Sequence, residues 1–226
     1  VLVQPPPFAR EPLGDKKDDP IVSAESLFDV APSAVNTWFT IYEELEPAMD
    51  LFFTVLLNRT LYSDVAFLLA AQAVEVLHRL MSPGGLVTND EFCDVATVLA
   101  AAIPKGTSRD LRQKVLGMLK YANEPSLRQR LRESIRELKP GFGDTPLGIT
   151  ARDIHRIVNT RNFLTHYSPE LAENALRDSD LYLAGRRLVL LLLVHILMRI
   201  GVPTNQIRKT IEQHSEFGQI MRHVGQ

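Results

Sequence analysis

Ile154-His155-Arg156-Ile157-Val158-Asn159-Thr160-Arg161-Asn162-Phe163-Leu164-Thr165-His166-Tyr167 is the stretch from which the fold reads most directly. Ile154, Ile157, Val158 and Leu164 recur at intervals of three, four and seven, the spacing of one apolar face of an α-helix. The gaps in that face are polar in an ordered way. At about 100° per residue, Asn159, Asn162 and His166 fall on one stripe, with Arg161 beside it. Arg161 and His166 are five apart and do not stack, yet a long guanidinium can swing to the same mouth. Pro169 is expected to stop the helix within a turn. A cation, amides and an imidazole thus gather at a helix C-terminal end. That set suits a phosphodiester, because arginine grips phosphate oxygens with a fork of donors and histidine exchanges protons near neutral pH. The competing reading is a polar cluster complementing the carbonyl end of the helix dipole.

The same helical period extends in both directions, with no strand alternation, internal repeat or low-complexity tract. The expected class is all-α: an up-and-down helical bundle with additional short helices. Residues 24–226 read as the helical domain. A first helix begins near Ala24, restarts at Asp29 with Pro32 in its first turn, kinks at Pro47 and ends near Leu57. A second spans Ser63 to Leu80, capped by Ser63 and ended by Pro83-Gly84-Gly85. A third runs from Asp90 to Ala102 with Asn89 as cap. Two short helices follow, Ser108 to Tyr121 and Ser126 to Leu138. Pro140 to Gly148 reads as a loop, and Thr150 caps the quoted helix. An apolar helix from Asp180 to Ile200, capped by Asp180 or Ser179, precedes a last one from Pro203 to about His214. Residues 1–23, rich in proline and carrying Asp15-Lys16-Lys17-Asp18-Asp19, read as a linker or the tail of a missing N-terminal domain. The chain begins at Val1 rather than Met, which suggests a piece of a longer protein.

Charge narrows the options. The net charge of −2 supplies no global field for nucleic acid, so such binding must rest on a local patch. Glu11 to Asp50 carries ten acidic residues against Lys16 and Lys17, a poor surface for RNA. Lys105 to Lys139 carries ten basic residues against four acidic ones. Arg109, Arg112, Lys114, Arg128 and Arg132 are its candidate phosphate contacts. The bland alternative is a solvated charged face. Tyr121 is its one aromatic, so base stacking is not its mode. Cys93 is the sole cysteine: no internal disulfide or cysteine zinc cluster can form, which fits a reducing cytoplasm. The apolar run Leu188 to Val194, continuing to Ile200, falls short of the ~20 residues of a membrane span and reads as a buried bundle helix. No signal-peptide pattern is present. His195 within it reads as a hydrogen-bonded core histidine.

A family resemblance rests on these residues taken together. Arg161-Asn162-x-x-x-His166 resembles the Arg-x4-His signature of the HEPN superfamily, whose active members are metal-independent ribonucleases. Gln72-Ala73-Val74-Glu75-Val76-Leu77-His78-Arg79, Trp38-Phe39, Glu44-Leu45-Glu46-Pro47 and the helix Leu188 to Ile200 are similar to the C-terminal HEPN domain of ApeA-like proteins, implicated in bacterial anti-phage defence. The resemblance covers roughly Ser26 to His214. A second near-match, Arg208 to His214, is one residue longer and lacks the Asn.

The resemblance implies an endoribonuclease effector of abortive infection that needs no metal or cofactor. It implies a homodimer whose composite cleft holds two Arg161 and two His166, since one chain supplies only one such imidazole. The substrate would be RNA, with transfer RNA a frequent target in the superfamily, cut to a 2′,3′-cyclic phosphate. An N-terminal sensor domain of the same chain would control it. Arg161 is assigned to the phosphate, His166 to proton transfer and Asn162 to orientation. Glu75, with Gln72 and Arg79, is assigned to support of Arg161 or else to an ordinary ion pair; Glu75 and His78 as metal ligands make a weak set. The alternatives are a catalytically inactive HEPN module that binds RNA or nucleotide or mediates dimerisation, and a helical interaction domain.

Overall fold

The computed structural model describes residues 31–222, and every regular element in them is helical. The expectations for residues 1–23, and for helix before Ala31, lie outside the described residues. The bundle is built on α8, Asp178–Arg199. Fourteen of its residues are buried, and they occupy all sides of the helix. A helix that is apolar all round must be covered all round. α2, Ser63–Met81, lies along one side of it, and α1, Ala31–Leu57, packs on both. The turn between α1 and α2 is stapled by Asn58, whose Oδ1 accepts from the Thr60 N–H at 3.2 Å and hydroxyl at 2.7 Å. α8 passes close to α2 at Gly185, where a Cβ would be in ordinary van der Waals contact with Phe67, 3.5 Å from its Cα. α8 is long and apolar enough to cross a membrane, with a mean hydropathy of 1.8, but 78% of that window is buried inside the protein. It is a core helix.

α5, Leu127–Phe142, and α6, Ala151–His166, pack on each other and on α2. α7, Pro169–Ala172, is a single turn. α9, Thr204–Gln213, and α10, Ser215–Arg222, close the end of the bundle, burying Ile207, Ile211 and Phe217. The two remaining helices, α3 (Asn89–Ala101) and α4 (Arg109–Lys120), make a helix–loop–helix segment in which no residue is buried. Its foot is fixed by Asn123. The Asn123 side chain donates to the Val87 carbonyl and accepts from the Val87 N–H, both at 3.1 Å, while its own carbonyl accepts from Leu86 at 2.8 Å.

Several boundaries differ from the sequence expectation for identifiable reasons. Ser63 is the first residue of α2, not its cap; Tyr62 holds that place without a side-chain bond, and Ser63 is buried. Thr88 rather than Asn89 caps α3, because Glu91 completes a capping box with it. α5 runs through Pro140 to Phe142 instead of ending near Leu138. The missing proline N–H frees the carbonyl of Arg136, which is exposed and can bond water, and burial of Phe142 draws the last turn inward. Gly143, at φ 80°, then ends the helix. α8 starts at Asp178, with Arg177 in the cap position and no side-chain cap. α10 was not expected as a separate helix.

His195 is a core histidine, as its place in an apolar helix suggests. It is 5% exposed, and its Nε2 lies 3.1 Å from the Ser134 carbonyl. Burial lowers its pKa, opposed by Glu137 and by the Ser134 bond. A base whose folded pKa is depressed stabilises the fold fully above its unfolded value, and that stability is lost as pH falls below it. Unfolding free energy is therefore expected to decline as pH drops below about 6.5, and a His195→Gln variant should show a flatter decline in denaturant titrations. On the same helix, Leu190→Ala should destabilise by about 2–5 kcal/mol, since its side chain is fully enclosed.

Candidate active site at the end of α6

α6 begins with a capping box. The Asp153 carboxylate accepts from the Thr150 N–H at 2.8 Å, and the Thr150 hydroxyl accepts from the Asp153 N–H at 3.2 Å. Ile154, Ile157 and Thr160 are buried. Thr160, with no exposed surface, ties the helix to the chain beyond it. Its hydroxyl donates to the Arg156 carbonyl at 2.7 Å and accepts from the Leu176 N–H at 2.8 Å. The helix ends two residues earlier than Pro169 alone requires. Tyr167 takes a left-handed conformation, φ 52°, and its N–H returns to the Phe163 carbonyl. The Phe163 and Tyr167 rings pack at 5.6 Å between centroids. A non-glycine residue there costs about 1–2 kcal/mol. The turn makes His166 the last helical residue. Its imidazole is exposed and makes no hydrogen bond or ion pair among the described residues.

Arg161 is held from two sides. Its Nη2 lies 3.2 Å from Glu75 Oε2 on α2, and its Nη1 donates to Asn162 Oδ1 at 3.2 Å. Arg161 and Glu75 are 35% and 22% exposed, so solvent screens the pair only in part. Glu75 is the one supporting residue that reaches Arg161. Gln72, one turn earlier on α2, is exposed. Arg79, one turn later, binds Glu124 at 2.7 Å instead. His78 turns to α5: its Nε2 is 2.9 Å from Glu133, and its Nδ1 is 3.3 Å from Nη1 of Arg130. Arg130 is 2% exposed and also donates to the Pro125 carbonyl at 3.0 Å. Burial lowers its pKa, and the nearby Arg79 charge adds to that. This brace sets α2 against α5 and so sets the position of Glu75. Glu75 and His78 have separate partners, and among the described residues no group of three His, Cys, Asp or Glu converges as a metal site.

The structure adds a residue the sequence reading passed over. His155 Nδ1 lies 3.0 Å from Arg128 Nη2, and His155 Nε2 lies 3.0 Å from the Asn159 amide. Both neighbours present N–H groups, Arg128 Nη2 and Asn159 Nδ2, and a neutral imidazole accepts at one nitrogen only, so His155 accepts from one of them at a time. His155, Asn159, Asn162 and His166 follow an i, i+4, i+7, i+11 spacing, one stripe about 16 Å long on α6. That spacing was the available signal. Arg128 joins the basic segment to this stripe, and Arg132, one turn on along α5, is exposed. Arg109, Arg112 and Lys114 are exposed on α4, which packs along no other helix. The near-match from Arg208 to His214 is structural. Arg208 pairs with Glu212 at 2.8 Å, and buried His214 accepts from the Phe217 N–H at 3.2 Å.

The model of the Apea-like HEPN family matches residues 68–206. The chain belongs to the Apea-like HEPN family. The matched span holds Glu75, Arg161, Asn162 and His166, together with α3 and α4. No curated protein and no solved structure matches the chain. Within this HEPN domain, α6 owes its place to Thr160. Replacing Thr160 by the isosteric Val should cost about 1–3 kcal/mol in denaturant unfolding, because the buried Leu176 N–H loses its acceptor.

Proposed function

We propose that this HEPN domain is an endoribonuclease that cuts RNA by transesterification with no metal, as the effector of an anti-phage abortive-infection system. The observation that carries the reading is Arg161. It is oriented by Glu75 and Asn162 at a helix end where His166 stands exposed on the next turn. RNA supplies its own nucleophile, the 2′-hydroxyl. Cleavage needs a base for that proton, an acid for the departing 5′-oxygen, and positive charge where the phosphorane gathers negative charge. His166 transfers the proton, Arg161 binds the phosphate oxygens, and Asn162 fixes the guanidinium plane. Glu75 is a positioning residue. A carboxylate on one edge of the guanidinium leaves the rest of the fork for a phosphate.

A single imidazole cannot be base and acid in one step, so the site is completed by a second copy of the chain related by a two-fold axis. The substrate strand runs along α6 past Asn159 and His155, with Arg128 and Arg132 on its phosphates; Arg109, Arg112 and Lys114 add a basic surface on α4. The domain acts in the cytoplasm and is restrained by an N-terminal sensor domain until infection. The half-buried Glu75 pair favours one second reading, a catalytically inactive module in which Arg161 is neutralised and the face only binds RNA.

The test is cleavage of total RNA with chelator present. Wild type is expected to leave 2′,3′-cyclic phosphate ends. Arg161→Ala and His166→Ala should each lose about 100-fold or more in rate. Glu75→Gln should lose less and mainly in kcat. Salt-sensitive RNA binding with no cleavage, unchanged in His166→Ala, would support the inactive module.

A further inference from the structure

We infer that the ring of Tyr167 is a stacking platform for one base of the bound strand, beside the phosphate held by Arg161 and His166. The inference rests on the ribonuclease reading for that phosphate and adds how the nucleotide next to it is gripped. The first observation is exposure. Tyr167 is 69% exposed, more than any other aromatic residue among those described, and it directly follows His166. Its hydroxyl makes no hydrogen bond among the described residues. Its ring packs on Phe163, one turn back, at 5.6 Å between centroids and inclined by 57°. Half-buried Phe163 thus supports the ring from one side and leaves the other side to solvent. The backbone points the same way. Tyr167 lies at φ 52° and ψ 35°, the left-handed conformation that glycine or asparagine adopts with less strain at a helix end. Ending α6 needs that conformation and no aromatic ring, and this ring enters no core. A large flat side chain held in a strained position and kept in water has its use in what it meets there.

Helix geometry sets the ring beside the phosphate-binding groups. Asn162 and Phe163 stand four and three residues before His166, so they flank the imidazole on opposite sides of its stripe. Arg161 bonds Asn162 on the one side, and Tyr167 packs on Phe163 on the other. The row around the end of α6 is therefore guanidinium, amide, imidazole, paired rings. No acidic residue occurs from Ile154 to Pro169, so nothing on this stretch repels a phosphate. With a phosphate on Arg161 and His166, the base of an adjoining nucleotide falls toward Phe163 and Tyr167. Every base has a π-face, so such a platform grips without reading sequence. It does require a base that has left its own stack, as in a loop, a bulge or a free end. The basic segment from Lys105 to Lys139 has Tyr121 as its one aromatic. Phosphate attraction and base stacking are thereby divided between the basic helices and the end of α6.

Fluorescence anisotropy of the 226-residue chain with a labelled, mixed-sequence 2′-O-methyl RNA tests the platform. The blocked 2′-oxygen prevents cleavage during the measurement. Three forms are compared: the single strand, the same strand annealed to its complement, and the same backbone with abasic sugars. Wild type is expected to bind the single strand most tightly. Tyr167→Gly and Tyr167→Asn, which suit the left-handed turn, should each weaken it about tenfold and leave the other two forms unchanged. Tyr167→Trp should bind the single strand as wild type does. Denaturant unfolding of each variant reports that the fold is intact. A Tyr167→Gly variant that binds the single strand like wild type overturns the inference. Equal weakening on all three forms overturns it too, as does a Tyr167→Trp variant as weak as Tyr167→Gly. The two readings separate when total RNA is added as a substrate. Base-dependent binding that is lost in Tyr167→Gly, with no cleavage by wild type, keeps the platform and ends the ribonuclease reading. Cleavage by wild type, with binding unaltered in Tyr167→Gly, ends the platform alone.

Discussion

A helix without a polar side can exist in water only inside something else. α8 is such a helix, and the rest of the bundle is arranged by the need to cover it. α2 and α1 take one flank, α5 approaches His195 through the Ser134 carbonyl, and α9 and α10 seal the end with Ile207, Ile211 and Phe217. Each buried Leu or Val contributes roughly 1.5–3 kcal/mol by leaving water. No single polar contact matches that sum. The polar contacts instead decide register.

α2 is where the two tasks meet. One side lies on α8, and the other carries Glu75, His78 and Arg79 at successive levels. Glu75 goes to Arg161 on α6, His78 to Arg130 and Glu133 on α5, and Arg79 to Glu124 just before α5. A shift of α2 by one turn, about 5.4 Å, would break all three. Burying Arg130 costs desolvation, which its bonds to Pro125 and His78 offset. The motif is therefore placed by the core at second hand. Apolar burial fixes α2, and α2 fixes Glu75 and with it the guanidinium of Arg161.

The segment of α3 and α4 is the exception to this economy of burial. It contributes nothing to the core, and its fastening depends on hydrogen bonds at Asn123 rather than on apolar contact. The strained Tyr167 is a second local exception, set directly after His166. Tyr167 lies at the end of the Arg161 and His166 helix, where substrate chemistry would meet. Strained backbone persists where the surroundings over-determine it, and such places are often functional.

The sequence by itself determined the class and the motif. Helical spacing of Ile154, Ile157 and Leu164, with its polar gaps, is a local property, and local periodicity survives without coordinates. The family followed from the same residues, and the match over residues 68–206 agrees with it. What the sequence left open was pairing across distance. Glu75 and Arg79 look alike on one polar side of α2, and only the packing of α6 and α5 assigns one to Arg161 and the other to Glu124. His155 was legible in its spacing but gained meaning only when α5 brought Arg128 within 3.0 Å. The basic segment reads as one patch, yet it divides between α5, packed on the motif helix, and α4, which packs along no other helix. Spacing along one helix is set by bonds four residues long. Contacts between helices are set by which apolar faces bury each other, and that choice is made by the whole chain at once.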